Sequence, residues 1–192
     1  MAPRATYRLQ LQPDFTLHDV IRVVPYLARL GVSHVYLSPI TQATAGSDHG
    51  YDVTDPTRVA DALGGEHGLR ALVDALHTHD MGVLLDIVPN HMAASSENAW
   101  WADLLEHGAA SEHVATFDTP LSARGSTRLC LPVLGAPLED IVARGELRVA
   151  RHAGRPVLRY HDHWFPIPAA VAYAADHVRG DDGSLRQLLD TL

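Results

Sequence analysis

Residues 83–91 read VLLDIVPNH. From Val83 to Pro89 the run is almost entirely apolar over strand length, as expected of a strand buried on both faces in a parallel sheet. One residue breaks it, Asp86. Asn90 and His91 follow just past the expected strand end.

The segments upstream repeat a rhythm. GGEHGLRALVDALHTHDMG carries Leu69, Leu72, Val73 and Leu76 on one helical face. SHVYLSPI (Ser33–Ile40) reads as a strand that ends at Pro39. PDFTLHDVIRVVPYLARLG offers Thr16 as a cap with Asp19 three residues on, and Gly31 as a stop. Pro25 lacks an N–H, so a bend or a short first turn is expected there. TYRLQL (Thr6–Leu11) alternates polar and apolar residues and reads as strand one. Strand, helix, strand, helix, strand is the pattern of repeated βαβ units.

After His91 the rhythm breaks. AWWADLLEHGAASEHVATFD begins helically and then turns irregular, and TRLCLPVLGAPLEDIVARG admits short strands. ELRVARHAGRPVLRYHDHWFPI alternates around Ala153–Gly154, a hairpin signal. SLRQLLDTL starts a helix with Leu185, Leu188, Leu189 and Leu192 on one face. The expected organisation is therefore residues 1–91 as repeated βα units, 92–183 as an insertion after strand three, and 184–192 as the start of a new helix. Three parallel strands cannot close a barrel, so the chain reads as the first part of a longer protein.

Bulk properties exclude several classes. The chain has 192 residues, 46% of them hydrophobic, enough for a core. A formal net charge of −8 argues against nucleic acid as a partner. No stretch approaches the ~20 apolar residues of a membrane span. A single cysteine, Cys130, forbids an internal disulfide. With no secretory leader evident, a cytoplasmic protein is expected.

In parallel α/β architecture, chemistry collects where strands end. Two places stand out: GSDHGYDVTD (46–55) after strand two, with Asp48, His49, Tyr51, Asp52 and Asp55, and the end of strand three, with Asp86, Asn90 and His91. Each residue also has a plain structural explanation. Asp86 could tie down backbone N–H groups or an arginine, His91 could be a packing histidine, and His49 and Asp52 could serve the turn. A tyrosine face beside carboxylates and histidines suits a sugar, with its apolar ring faces and paired hydroxyls. Calcium or zinc is the rival ligand, although no dense metal-ligand spacing occurs.

YLSPI, HGYDVTD and DIVPNH in this order resemble the α-amylase superfamily of (β/α)8-barrel enzymes. With YRLQL before them and LPVLGAPLED after, the set resembles the maltooligosyl trehalose synthase family within it. The resemblance implies a partial TIM barrel of three βα units, with residues 1–91 as its first part and 184–192 as the start of its helix three, and a maltooligosaccharide substrate. The implied reaction is retaining intramolecular transglucosylation, converting the reducing-end α-1,4 linkage to α,α-1,1 while excluding water. It makes His91, Tyr51 with its neighbour Asp52, and Asp86 contacts or supports of the glucose at the cleavage subsite. Asn90 matches a calcium-binding position of some α-amylases, but calcium is not carried over, and neither a metal nor a cofactor is expected. Trp100, Trp101, Tyr160 and Trp164 are candidate sugar platforms, with core packing favoured. The family's nucleophile and acid/base follow strands four and five, so no catalytic residue is assigned in this chain, and the rest of the barrel is its expected partner. Another superfamily hydrolase, a 4-α-glucanotransferase or a carbohydrate-binding remnant stay open as alternatives.

Overall fold

The computed structural model of the chain describes residues 2–122, 129–176, 178 and 182–191. They fall into two compact units, Met1–Ala94 and Ser95–Leu192.

The first unit runs β1 (Thr6–Leu9), α1 (Leu17–Arg29), β2 (His34–Leu37), β3 (Thr41–Ala43), β4 (Val53–Val59), α2 (Gly65–His77) and β5 (Gly82–Leu85). Strands β1, β2 and β5 form a parallel sheet in that order, in phase, so that Leu9, Leu37 and Leu85 share one row. The helices cover it with the apolar stripes that periodicity predicts. Val20, Val24 and Leu27 of α1 meet Leu72 and Leu76 of α2 over Val35 and Leu37. At the start of α1 the Asp19 carboxylate accepts from the Thr16 N–H (2.7 Å) and hydroxyl (2.8 Å), satisfying a donor that the helix leaves free. Gly31, at φ +88°, follows its end.

Three expectations change. Helix α1 runs unbroken through Pro25. Pro25 is exposed, so water can reach the side of the helix where its N–H is missing. Strand β5 ends at Leu85, one residue before Asp86, and is not buried on both faces: Leu85 is 41% exposed. Among the described residues β5 pairs only with β2, so nothing covers its far side. Finally, the segment after β2 is not a plain loop. β3 and β4 pair antiparallel with two register shifts, which makes residues 44–52 the tip of a hairpin. Asp55 and Pro56 disguise β4 in the sequence, because proline sits in strands only at edges or irregularities.

The second unit holds α3 (Ala99–His107), α4 (Leu138–Ala143), β6 (Leu147–His152), β7 (Arg155–Tyr160), β8 (His163–Pro166), α5 (Ala172–Asp176) and α6 (Asp182–Thr191). Strands β6, β7 and β8 form an antiparallel sheet. The β6–β7 turn has positive φ at both Ala153 (49°) and Gly154 (82°), the backbone twist that a tight hairpin needs. The short strands expected between Leu129 and Gly145 are absent; Leu138–Ala143 form α4, and residues 129–137 are turns and irregular backbone. Thr127 and Arg128 lie outside the described residues. Ile141, Val142, Leu147, Tyr160 and Leu185 make one core cluster, so α6 packs within this unit. Leu188 is buried in a second cluster with Ile167 and Ala175. Leu192 lies outside the described residues.

An uninterrupted helix at an exposed proline gives a direct stability test. Pro25→Ala restores a helical N–H and removes a steric clash, and should stabilise the chain by up to ~3 kcal/mol. The urea midpoint should rise; an unchanged or lowered midpoint would contradict this account of α1.

Candidate active-site rim

The strand ends of the first sheet, the hairpin tip and the segment after β5 bring four of the six candidate residues into one network. Tyr51 donates its hydroxyl to Asp86 Oδ2 at 2.5 Å. Arg8 Nη2 donates to the same Oδ2 at 3.1 Å and to the Tyr51 oxygen at 2.8 Å. The Arg8 guanidinium also lies over the Tyr36 ring, 5.2 Å from its centroid, a favourable cation–π position. His91 Nε2 lies 3.1 Å from the Tyr51 carbonyl. A carbonyl only accepts, so Nε2 carries the proton. His91 Nδ1 is then an acceptor, 3.2 Å from the position of Asn90 Oδ1, and it is bonded with the Asn90 amide turned so that its N–H2 group donates.

His49 and Asp52 turn inward to the hairpin tip. Asp52 accepts from the Thr44 and Ser47 hydroxyls, the latter at 2.5 Å. The Tyr51 N–H donates to His49 Nδ1 at 3.0 Å, so that nitrogen is an acceptor, and its 3.7 Å approach to Asp52 is not a hydrogen bond. The His49 ring stacks near Tyr51, centroids 6.0 Å apart. Gly50 is required where it stands. Its φ is +78°, and a Cβ there would sit 2.9 Å from the Pro39 carbonyl oxygen.

The electrostatics follow these bonds. The hydrogen bond to Asp86, with burial second, holds the Tyr51 pKa above the usual phenol value, so Tyr51 stays a neutral donor. Burial opposes the charge on Arg8, but its bonds to Tyr51 and Asp86 outweigh that and raise its pKa. Burial likewise opposes ionisation of Asp52, yet the Ser47 and Thr44 hydroxyls outweigh it and hold its pKa below the ordinary carboxylate value. Asp86 Oδ1 has no hydrogen-bond partner among the described residues. The rim thus offers a half-buried tyrosine face and a carboxylate with an acceptor to spare.

Arg8 and Gln10 were not singled out from the sequence. Gln10 Nε2 reaches the carbonyls of Asp48 and His49, both at 3.4 Å, from below the tip. Their signal was the polar phase of the alternating TYRLQL strand. It cannot say which polar residue meets a partner 38 or more positions away. Among the described residues no group of three or more His, Cys, Asp or Glu side chains could hold a metal ion, and no helix is long and apolar enough to cross a membrane.

The model of the α-amylase catalytic domain matches residues 14–119, more than half of the chain. The chain belongs to the α-amylase family. Over 139 residues it is 45% identical to a putative maltooligosyl trehalose synthase of Mycobacterium tuberculosis, an alignment covering 69% of the chain and 18% of the relative. The solved maltooligosyltrehalose synthase from Arthrobacter ramosus is 44% identical and superposes with a TM-score of 0.77, over 88% of this chain and 22% of that one. A hypothetical maltooligosyl trehalose synthase of Sulfolobus tokodaii is 30% identical with a TM-score of 0.81, over 99% and 24% respectively. The chain therefore has an α/β fold similar to the amylase-family TIM-barrel enzymes, and it spans about a fifth of the length of the curated synthases it matches.

Two substitutions test the hairpin tip. Gly50→Ala combines a left-handed backbone with a clash and should cost at least ~1 kcal/mol. For Asp52 the folded pKa is depressed, so its stabilisation is present above the unfolded value of ~3.9 and is lost as pH falls through the lower folded value. Thermal midpoints measured from about pH 6 to about pH 2 should drop more for the wild type than for Asp52→Asn. Parallel profiles would show that Asp52 does not brace the tip.

Proposed function

We propose that the chain is the first part of a maltooligosyl trehalose synthase. Such an enzyme moves the reducing-end glucose of a maltooligosaccharide from an α-1,4 to an α,α-1,1 linkage by retaining intramolecular transglucosylation. The observation that carries this is the 45% identity to a synthase, shared by a solved synthase at 44% over 88% of the chain. In this reading β1, β2 and β5 are the first three strands of a (β/α)8 barrel. Residues 92–183 are the insertion after strand three, and 184–192 begin helix three. The open edge of β5 is where the rest of the barrel pairs.

The rim is then one wall of the glucose subsite at the scissile bond. Tyr51 supplies the stacking face, and Asp86 Oδ1 the acceptor for a sugar hydroxyl. Arg8 and the Tyr51 hydroxyl hold that carboxylate in place. His91 contacts the sugar by exchanging its bond to the Tyr51 carbonyl for one to a hydroxyl, with Asn90 steadying the ring. Asp52 and His49 keep the tip shaped so that Tyr51 is presented. The nucleophile and the acid/base carboxyl lie in residues outside this chain. One acetal linkage replaces another with no net redox change, so the chemistry calls for no cofactor. A cytoplasmic location belongs to the same proposal.

The test compares this chain with the protein encoded by the longer reading frame, each given maltopentaose. The longer protein should yield a trehalose-terminated product that has lost its reducing end, and this chain alone should yield none. Tyr51→Ala in the longer protein should lower kcat/KM at least about tenfold, ~1.4 kcal/mol of transition-state binding. Glucose and shorter maltooligosaccharides that keep their reducing ends would indicate a hydrolase or 4-α-glucanotransferase. Turnover by this chain alone would contradict the assignment of catalysis to residues outside it.

A further inference from the structure

The second unit contains a cavity of about 550 Å³, within the ~300–1,000 Å³ range of small-molecule sites. None of its lining residues belongs to the rim. Pro156, Val157, Pro166 and Ile167 make its apolar floor. Trp164 and His152 line it as a stacked pair, ring centroids 4.1 Å apart and 19° from parallel. At its mouth Arg155 Nη1 lies 3.2 Å from both carboxylate oxygens of Glu106.

These features select a kind of ligand. Arg155 and Glu106 neutralise one another, so the mouth has no net charge to attract an ion. Both keep hydrogen-bonding capacity: among the described residues only one guanidinium nitrogen of Arg155 is engaged, and a carboxylate has about four acceptor sites. An uncharged molecule with apolar faces and a fringe of hydroxyls matches an aromatic wall beside paired donors and acceptors. A glucosyl unit of a glucan has that character. The 75% exposure of the Arg155 side chain leaves the mouth open to solvent, so a chain longer than the cavity can extend out of it.

We propose that this cavity is a second carbohydrate site, which holds an α-1,4-linked glucosyl segment on Trp164 with its hydroxyls against Arg155 and Glu106. The linkage type rests on the proposed function; the cavity and its chemistry do not. Trp164, expected from sequence to be core, thereby acts as a platform. Such a site raises the local concentration of glucan for a reaction that takes place elsewhere on the protein.

The test is an NMR titration of the 15N-labelled chain with maltohexaose, and separately with β-1,4-linked cellohexaose. The Trp164 indole N–H signal is assigned by its disappearance in Trp164→Phe. It should shift saturably with maltohexaose and not with cellohexaose, and the exposed substitution Arg155→Ala should weaken the response several-fold. If maltohexaose moves the Tyr51 and His91 signals but not Trp164, the second site is overturned and the functional reading stands. If both sugars move Trp164 equally, the α-linked assignment is overturned. If neither moves any signal, the second site is overturned, while the rim, one wall of a subsite completed outside this chain, is judged on the longer protein.

Discussion

The in-phase alignment of three parallel strands is the constraint on which the rim depends. Arg8, Tyr36 and Leu84 occupy one row of the sheet, and side chains of a row project from the same face. Asp86 lies two residues beyond Leu84, so it emerges on that face too, its N–H held by the Leu37 carbonyl at 2.9 Å. Arg8 can therefore cross over Tyr36 and end on Asp86. A slip of β5 by one residue would turn Asp86 to the opposite face and leave Arg8 and Tyr51 without their common acceptor. The packing of Val83 in β5 against the core under α1 and α2 opposes such a slip, because it would turn Val83 to the other face. Packing on one side of the sheet thus fixes polar geometry at its end.

The hairpin tip obeys a different rule: it satisfies itself before it offers anything outward. Asp52 is used by Thr44 and Ser47, His49 by the Tyr51 N–H, and Gln10 by two tip carbonyls. Nine residues with many polar groups yield few free ones. What remains outward at the rim, besides the exposed Asp48 side chain, is the Tyr51 face and Asp86 Oδ1 beside the tip, both held before any ligand arrives. Preorganisation of this kind lowers the cost of binding, because the ordering has already been met in folding.

Much of the first unit was legible in the sequence. Helical stripes of leucine and valine, the Thr16–Asp19 cap and the apolar strand runs are local signals, and local physics builds them. The strand ends were less legible. The apolar run continues through Ile87 and Val88, but the sheet stops at Leu85 because pairing, not hydrophobicity, ends a strand. β3 and β4 escaped notice since their pairing is irregular and Pro56 mimics a turn. In the second unit the turn chemistry of Ala153–Gly154 revealed β6 and β7, while α4 looked like strand because LPVLGAPLEDIV has no clean period of either kind. Within the site, residue types pointed to Tyr51, Asp86 and His91. The role of Arg8 needed the strand register, which no single segment encodes.

The central claim is that Tyr51, Asp86 and His91 present one wall of a glucose subsite. It is tested most directly by a crystal structure of the longer protein with a bound maltooligosaccharide. The account predicts a glucosyl ring packed on the Tyr51 face, with a hydroxyl within hydrogen-bond distance of Asp86 Oδ1. A sugar bound for reaction elsewhere, with the Arg8–Tyr51–Asp86 network untouched by it, would contradict the claim.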